Sequence, residues 1–220
     1  MKPAGVLRSL PVPYADDARL AEGLRAGSPQ AVASAWDRFH PLVRRLLTRT
    51  LGPSDEIEDL VQDVFITLFR RVVDLRDDTA LRSFLVGIVV RTARGELRRR
   101  RIRRWVTLSP TGMVPELAVP EMDHASRQAL QRLYAILDKL DADTRVAFIL
   151  RNADGLELTE VAEALGCSLA TVKRKIAKAT ERVLLHAKKD DSLRAFAKLR
   201  ELGASKDASE LEPDRERSSG

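Results

Sequence analysis

Six apolar residues, Ile57, Leu60, Val61, Val64, Phe65 and Leu68, recur at spacings of three and four and leave residues 57–68 little freedom in how to fold. An α-helix places all six on one stripe, and a stripe that continuous needs other apolar elements to cover it. Glu58, Asp59, Gln62 and Asp63 fall on the opposite side, with Asp55 just ahead of them, and no base follows before Arg70. The chain as a whole carries a formal charge of +6. An acidic helix face in a basic chain is either a solvated surface or a dock for a basic partner.

The same periodicity extends through much of the chain. Aromatic residues make up only 5% of it while Ala, Leu and Arg abound, which favours helices over sheets. Residues 1–15 are Pro-rich and read as a flexible terminus. A helical pattern begins near Asp16, pauses at Gly27-Ser28-Pro29 and resumes with Ser28 as cap and Pro29 in the first turn. Trp36, Phe39, Leu42, Val43, Leu46 and Leu47 form its stripe. Gly52-Pro53-Ser54 precedes the acidic helix, which should run to about Val73. A polar turn, Asp74 to Thr79, then leads into a long helix from about Ala80 to Arg104. Residues 105–122 carry Pro110, Pro115 and Pro120 without helical spacing, so they read as a stiff linker. The expected fold is all-α: two helical domains, 16–104 and 123–188, joined by this Pro-rich linker. Residues 189–220 form an extension, with a helical pattern over Ser192 to Leu202 and a disordered composition after it.

Positive charge is concentrated in two places. Arg91 to Arg104 holds eight arginines against the single acid Glu96, and Lys173 to Lys189 holds seven bases against Glu181 alone. The first cluster ends a helix, where cations also suit the dipole, but its density favours phosphate contact. The second lies on the last helix of a helix-turn-helix pattern: Leu158 to Leu165, a turn at Gly166-Cys167-Ser168, then a helix to about Ala187. Val172, Ile176, Ala179 and Val183 face inward there. Ala170, Thr171, Arg174, Ala177 and Lys178 face out, and small residues among long cations allow such a helix to enter the major groove. Arg174 and Lys178 are placed to reach base edges, while Lys173 and Lys175 suit phosphates.

The segment Glu58 to Phe65, EDLVQDVF, resembles the part of bacterial sigma factors that grips the clamp helices of RNA polymerase. Residues 137–173 resemble the promoter −35-binding domain of that family, matching at Leu137, Leu140, Arg145, Gly155, Leu156, Glu160, Val161, Ala162, Leu165, Gly166, Ser168, Thr171, Val172 and Lys173. Residues 83–104 resemble its −10 reader at Phe84, Leu85, Ile88, Ala93, Glu96, Leu97 and the arginine run. The two-domain plan without further domains is similar to the extracytoplasmic-function group. The resemblance implies core RNA polymerase, promoter DNA and an anti-sigma factor as partners. It assigns polymerase binding to Asp55, Glu58, Asp59, Gln62 and Asp63. The −10 contacts fall on Arg91, Arg94, Arg98, Arg99, Arg100, Arg101 and Arg103, and the −35 contacts on Ser168, Thr171, Lys173, Arg174, Lys175 and Lys178. It makes the Asp74 to Leu81 loop the one that captures a flipped base. Arg91 and Gly95 stand where the family commonly has asparagine and aspartate, so the resemblance does not carry the family's usual −10 preference over to this chain.

Other functions find little support. His40, His124 and His186 are isolated, and no CxxC, HExxH or Gly-rich phosphate loop is present, so neither an enzyme nor a cofactor or metal site is expected. The single Cys167 excludes an internal disulfide and suits a reducing cytoplasm. No apolar run is long enough to span a membrane. Two rivals remain: a helix-turn-helix regulator acting by itself, which leaves the acidic helix idle, and an interaction protein without promoter activity.

Overall fold

A computed structural model describes residues 16–106 and 124–187 of the chain. Most of its helices start where a side chain accepts one of the first free backbone N–H groups. Asp16 accepts from Arg19 at 2.8 Å to open α1 (Asp17–Arg25). Ser28, with Pro29 behind it, opens α2 (Pro29–Leu51), which ends at Gly52 with φ 86°. α3 (Ile57–Arg71) carries the acidic face and continues into a 3-10 turn, Val72–Asp74. A second 3-10 turn, Asp78–Ala80, leads into α4 (Leu81–Val106), the arginine-rich helix.

Four helices follow: α5 (His124–Leu137), α6 (Ala142–Asn152), α7 (Leu158–Leu165) and α8 (Leu169–Ala187). Of the two aspartates able to cap α6, Asp141 does so, accepting from Thr144 N at 2.9 Å and from its hydroxyl at 2.8 Å. Gly166 turns between α7 and α8 with φ 64°, a left-handed conformation that a side chain would resist. Ser168 then caps α8 through Thr171 N. The helix-turn-helix is therefore built as its spacing predicts.

All six residues of the α3 stripe are buried, at 5% exposure or less. Phe65 alone, at 1%, represents roughly 1.5–3 kcal/mol of transfer free energy. The stripe packs with α2 and α4. One departure concerns Trp36. It lies on the α2 stripe but stays 37% exposed, its ring tilted against Phe65 and His40 at 4.6 and 4.9 Å. A second departure is that α4 runs to Val106, so Trp105 and Val106 are helical. The rest of the expected linker, the terminal segment 1–15 and the extension from 189 lie outside the described residues.

The two helical parts are packed together. Val146, Ala147, Leu150, Leu156, Val161, Ala164, Leu165 and Val172 join the core of the first four helices. A smaller core joins α5 to Phe148, Ile149, Ala179 and Val183. α4 is thus covered by α6 and α7 as well as by α2 and α3. This junction is also polar. Arg145 is 2% exposed, donates to Thr50 O at 2.7 Å and bonds to Asp138, and burial pulls its guanidinium below its ordinary value even against that carboxylate. The Tyr134 hydroxyl donates to Arg49 O at 3.0 Å, and its ring lies over Gly52.

Candidate nucleic-acid and protein interfaces

The acidic face of α3 is exposed, as its pattern requires, because every apolar residue beside it turns inward. Asp55, Glu58, Asp59, Gln62 and Asp63 are all accessible. Glu58 is nevertheless not free. Arg44 of α2 donates to it at 2.6 Å and His40 lies 3.7 Å away, so the Arg44 bond, more than His40, holds its carboxyl below the usual range. Among the described residues Asp55, Asp59 and Asp63 have no ion pair. Ile66, 46% exposed, lies one turn beyond Gln62 and Asp63, and Trp36 flanks the stripe from α2. The surface is therefore acidic with an apolar border, a feature that the α3 pattern alone did not predict.

The arginines of α4 divide by partner. Glu96, 3% exposed, is a hub: Arg99, Arg100 and Arg103 reach it at 3.0, 2.8 and 2.7 Å. Arg100 also donates to Leu51 O at 3.1 Å and to Glu56 at 3.0 Å. For Glu56, burial works upward, but the bonds from Arg100 and Arg103 outweigh it and leave the carboxyl below its ordinary value. The one acid within the arginine run thus binds a substantial part of it to the core. Arg94 turns toward α6 and meets Asp143 at 2.7 Å, with Arg98 at 3.9 Å from the same carboxylate. Among the described residues Arg91 and Arg101 pair with no acid. Partial desolvation, then Arg71 and Arg94, pull the Arg91 guanidinium below its usual value. Its end lies 3.5 Å from where a side chain on Gly87 would begin.

On α8, Thr171 is half-buried while Lys173, Arg174 and Lys178 are exposed; Ser168 is also exposed, its hydroxyl engaged by Thr171. Lys175 lies 3.6 Å from both Asp141 and Asp143, and Lys178 lies 3.7 Å from Asp141. Asp143 therefore serves both basic helices, through Arg94 and through Lys175. Lys173 and Arg174 have no carboxylate partner among the described residues. A cavity of about 210 Å³ lies between α4 and the start of α6, walled by Arg98 and Arg101 against Asp138, Asp141 and Asp143.

Two sets of residues escaped the sequence reading. Asp154, in the turn after α6, has a fully buried carboxylate that receives Arg49 at 2.7 Å and Arg45 at 3.1 Å from α2. Arg25 of α1 donates to Leu75 O at 2.7 Å and to Asp78 at 2.8 Å in the turn before α4. These partners lie about fifty to one hundred residues apart, so no local pattern announces them. Among the described residues no group of histidine, cysteine and acidic side chains could hold a metal ion, and no helix is long and apolar enough to cross a membrane.

Comparison with known proteins adds an independent line. Residues 35–103 match the family described as Sigma-70 region 2, and residues 130–183 match Sigma-70, region 4. The ferric citrate uptake sigma factor FecI of Escherichia coli (strain K12) is 34% identical over 158 residues, which cover 69% of this chain and 88% of that protein. The ECF RNA polymerase sigma-E factor of the same organism is 28% identical over 176 residues, 76% of this chain and 92% of that one. Among solved structures, CnrH in complex with the cytosolic domain of CnrY superimposes with a TM-score of 0.58 at 24% identity, covering 79% of this chain and 98% of that one. The sigma factor RpoE in complex with the anti-sigma factor NepR from Bartonella quintana gives 0.52 at 22% identity over 68% of this chain and 92% of that one.

Proposed function

Since the chain belongs to the sigma-70 family, in its extracytoplasmic-function group, we propose which of its surfaces carry each step of its work. It is a sigma factor: it binds core RNA polymerase, recognises −35 and −10 promoter elements and starts transcription of a particular set of genes. In our reading residues 16–104 bind polymerase and open the −10 element, 105–122 link, and 123–188 read the −35 element. The protein works in the cytoplasm as a DNA-binding regulator and catalyses no reaction of its own.

Asp55, Asp59, Gln62 and Asp63, with Glu58 held by Arg44, meet a basic surface of the polymerase, and Trp36 and Ile66 add apolar area at the border. The feature that carries this reading is the exposed, unpaired Asp59 and Asp63 beside accessible apolar residues: a desolvated acidic surface recovers its cost only against a cationic partner. The Asp74 to Leu81 loop receives an unstacked base of the non-template strand while exposed arginines of α4 neutralise its phosphates. Arg174 and Lys178 read −35 bases, and Lys173 and Lys175 hold phosphates. An anti-sigma factor holds the chain in reserve; RpoE, to whose fold this chain is similar, is solved with such a partner.

Replacing Asp59 and Asp63 together by lysine tests the docking surface. The double variant should lose co-elution with core polymerase while its helical circular dichroism stays unchanged. Undiminished co-elution would move the polymerase contact elsewhere.

A further inference from the structure

No residue of α1 is given a contact of its own in the division of labour above, yet its polar side chains hold the neighbouring turn and the start of α4. Leu20, Ala21 and Leu24 bury its inner face, which fixes the helix on the first core. From its end Arg25 crosses to the turn between α3 and α4. Its Nη2 donates to Leu75 O at 2.7 Å, and both terminal nitrogens engage the Asp78 carboxylate, Nη1 at 2.8 Å. The mutual bond holds the Asp78 carboxyl below its ordinary range and raises the guanidinium. At the other end of α1, Asp17 accepts from the backbone N–H of Arg82 at 3.1 Å and pairs with Arg38 of α2 at 2.6 Å. α1 therefore grips the turn at Leu75 and Asp78 and the first turn of α4 just beyond it.

Only Arg76 and Asp77 lie between the two points that Arg25 holds, and both are exposed. Asp77 is further occupied by the N–H of Thr79 at 2.9 Å and its hydroxyl at 2.7 Å. Arg76 is thus presented on a backbone fixed from below by Arg25 and ahead by the Asp77 turn. A planar guanidinium suits this task because its donors hold two acceptors in a set geometry, which a lysine ammonium does not. Such a brace matters for base capture. A pocket ordered beforehand does not add its own ordering to the cost of unstacking.

We propose that Arg25 is a positioning residue for promoter opening: it holds the 75–78 backbone in the shape that receives the unstacked base, so α1 sets how readily the −10 element opens. This rests on the reading of the Asp74 to Leu81 loop as the base-capturing loop. Arg25 contacts the loop and not the DNA, so its loss acts on capture and not on −35 binding.

The test uses full-length protein with core polymerase and two fork-junction DNAs, one with the unpaired −10 base intact and one abasic at that position. The ratio of their affinities reads capture alone. Arg25→Ala should lower this ratio roughly three- to tenfold, as expected for losing a partly exposed charged pair and one backbone bond. Arg25→Lys keeps the cation and the docking of α1, and should fall between it and the unaltered protein. Arg25→Asp combined with Asp78→Arg should recover part of the loss. Replacing residues 74–79 by glycine and serine should bring the ratio to unity. A full ratio in Arg25→Ala and Arg25→Lys, with the loop replacement at unity, would overturn the role given to Arg25. A full ratio in the loop replacement would instead overturn the base-capture reading beneath it.

Discussion

On α4, Arg94, Arg99, Arg100 and Arg103 each lie within 3.0 Å of a carboxylate, whereas on α8 Lys173 and Arg174 meet none among the described residues. The two helices looked alike as charge runs. Their acids make the difference. Glu96 sits within the α4 run and is buried, so three arginines close over it. The acids that face α8, Asp141 and Asp143, lie at the start of α6 and reach only Lys175 and Lys178. Charge density along a sequence therefore measures how many cations a helix holds, and the placement of acids decides how many remain for a polyanion. At Arg94, Arg99, Arg100 and Arg103 of α4 a phosphate must compete with carboxylates; at Lys173 and Arg174 of α8, as at Arg91 and Arg101, it need not.

The largest effect that this comparison predicts is on α4. Arg98 and Arg99, with side chains 63% and 64% exposed, keep most of their surface open to solvent despite their carboxylate neighbours. Reversing both to glutamate should block promoter opening and spare closed-promoter binding, because the exposed arginines would no longer neutralise the captured strand. Permanganate reactivity of unpaired thymines around the start site measures the first, and mobility shift on duplex promoter the second. Normal opening would mean that Arg98 and Arg99 give DNA no working charge and would leave that role to Arg91 and Arg101.

A smaller effect distinguishes residues within α8. Arg174→Ala should cost roughly 1–3 kcal/mol of discrimination among −35 variants if this unpaired guanidinium reads a base edge. Lys178→Ala should cost less, since Asp141 at 3.7 Å already competes for its ammonium. Lys173→Ala should weaken all sequences alike and lower the salt slope by about one unit. Binding titrations over a set of promoter variants and salt concentrations decide this. Equal losses on every sequence for all three would leave no base reader on α8.

How far the sequence alone reaches follows from the range over which each feature is encoded. Caps and apolar stripes are local, so Asp16, Ser28 and Ser168 fall at helix starts as their patterns predict, and of the inward positions of α8 Val172, Ala179 and Val183 are buried and Ile176 is partly buried. The accessible acids of α3 were legible for the same reason. What stayed hidden are contacts between distant segments: Arg44 on Glu58, Arg45 and Arg49 on Asp154, Arg25 on Asp78, and Tyr134 on the end of α2. Glu96 was read as one unit of charge against eight, because burial cannot be judged from a tally. Trp36 lies on the stripe that its spacing predicts and yet stays exposed, because periodicity fixes the face of a residue and tertiary cover fixes its burial.

The smallest effect tests the carboxylate that the two basic helices share. Asp143 meets Arg94 at 2.7 Å on one side and Lys175 at 3.6 Å on the other, and its side chain is 29% exposed. If it competes with phosphate at both, Asp143→Asn removes a negative charge next to two cations proposed above as DNA contacts and preserves the shape of the side chain. Binding of the chain with core polymerase to both −35 duplex and −10 fork DNA should then tighten by about two- to fourfold at low salt, the scale of a partly exposed ion pair. The gain should vanish at high salt, where such pairs are screened. Weaker binding to the duplex would give Asp143 the opposite role, that of holding Lys175 in place for DNA. A gain on the fork alone would confine the competition to α4 and would widen the contrast between the two helices.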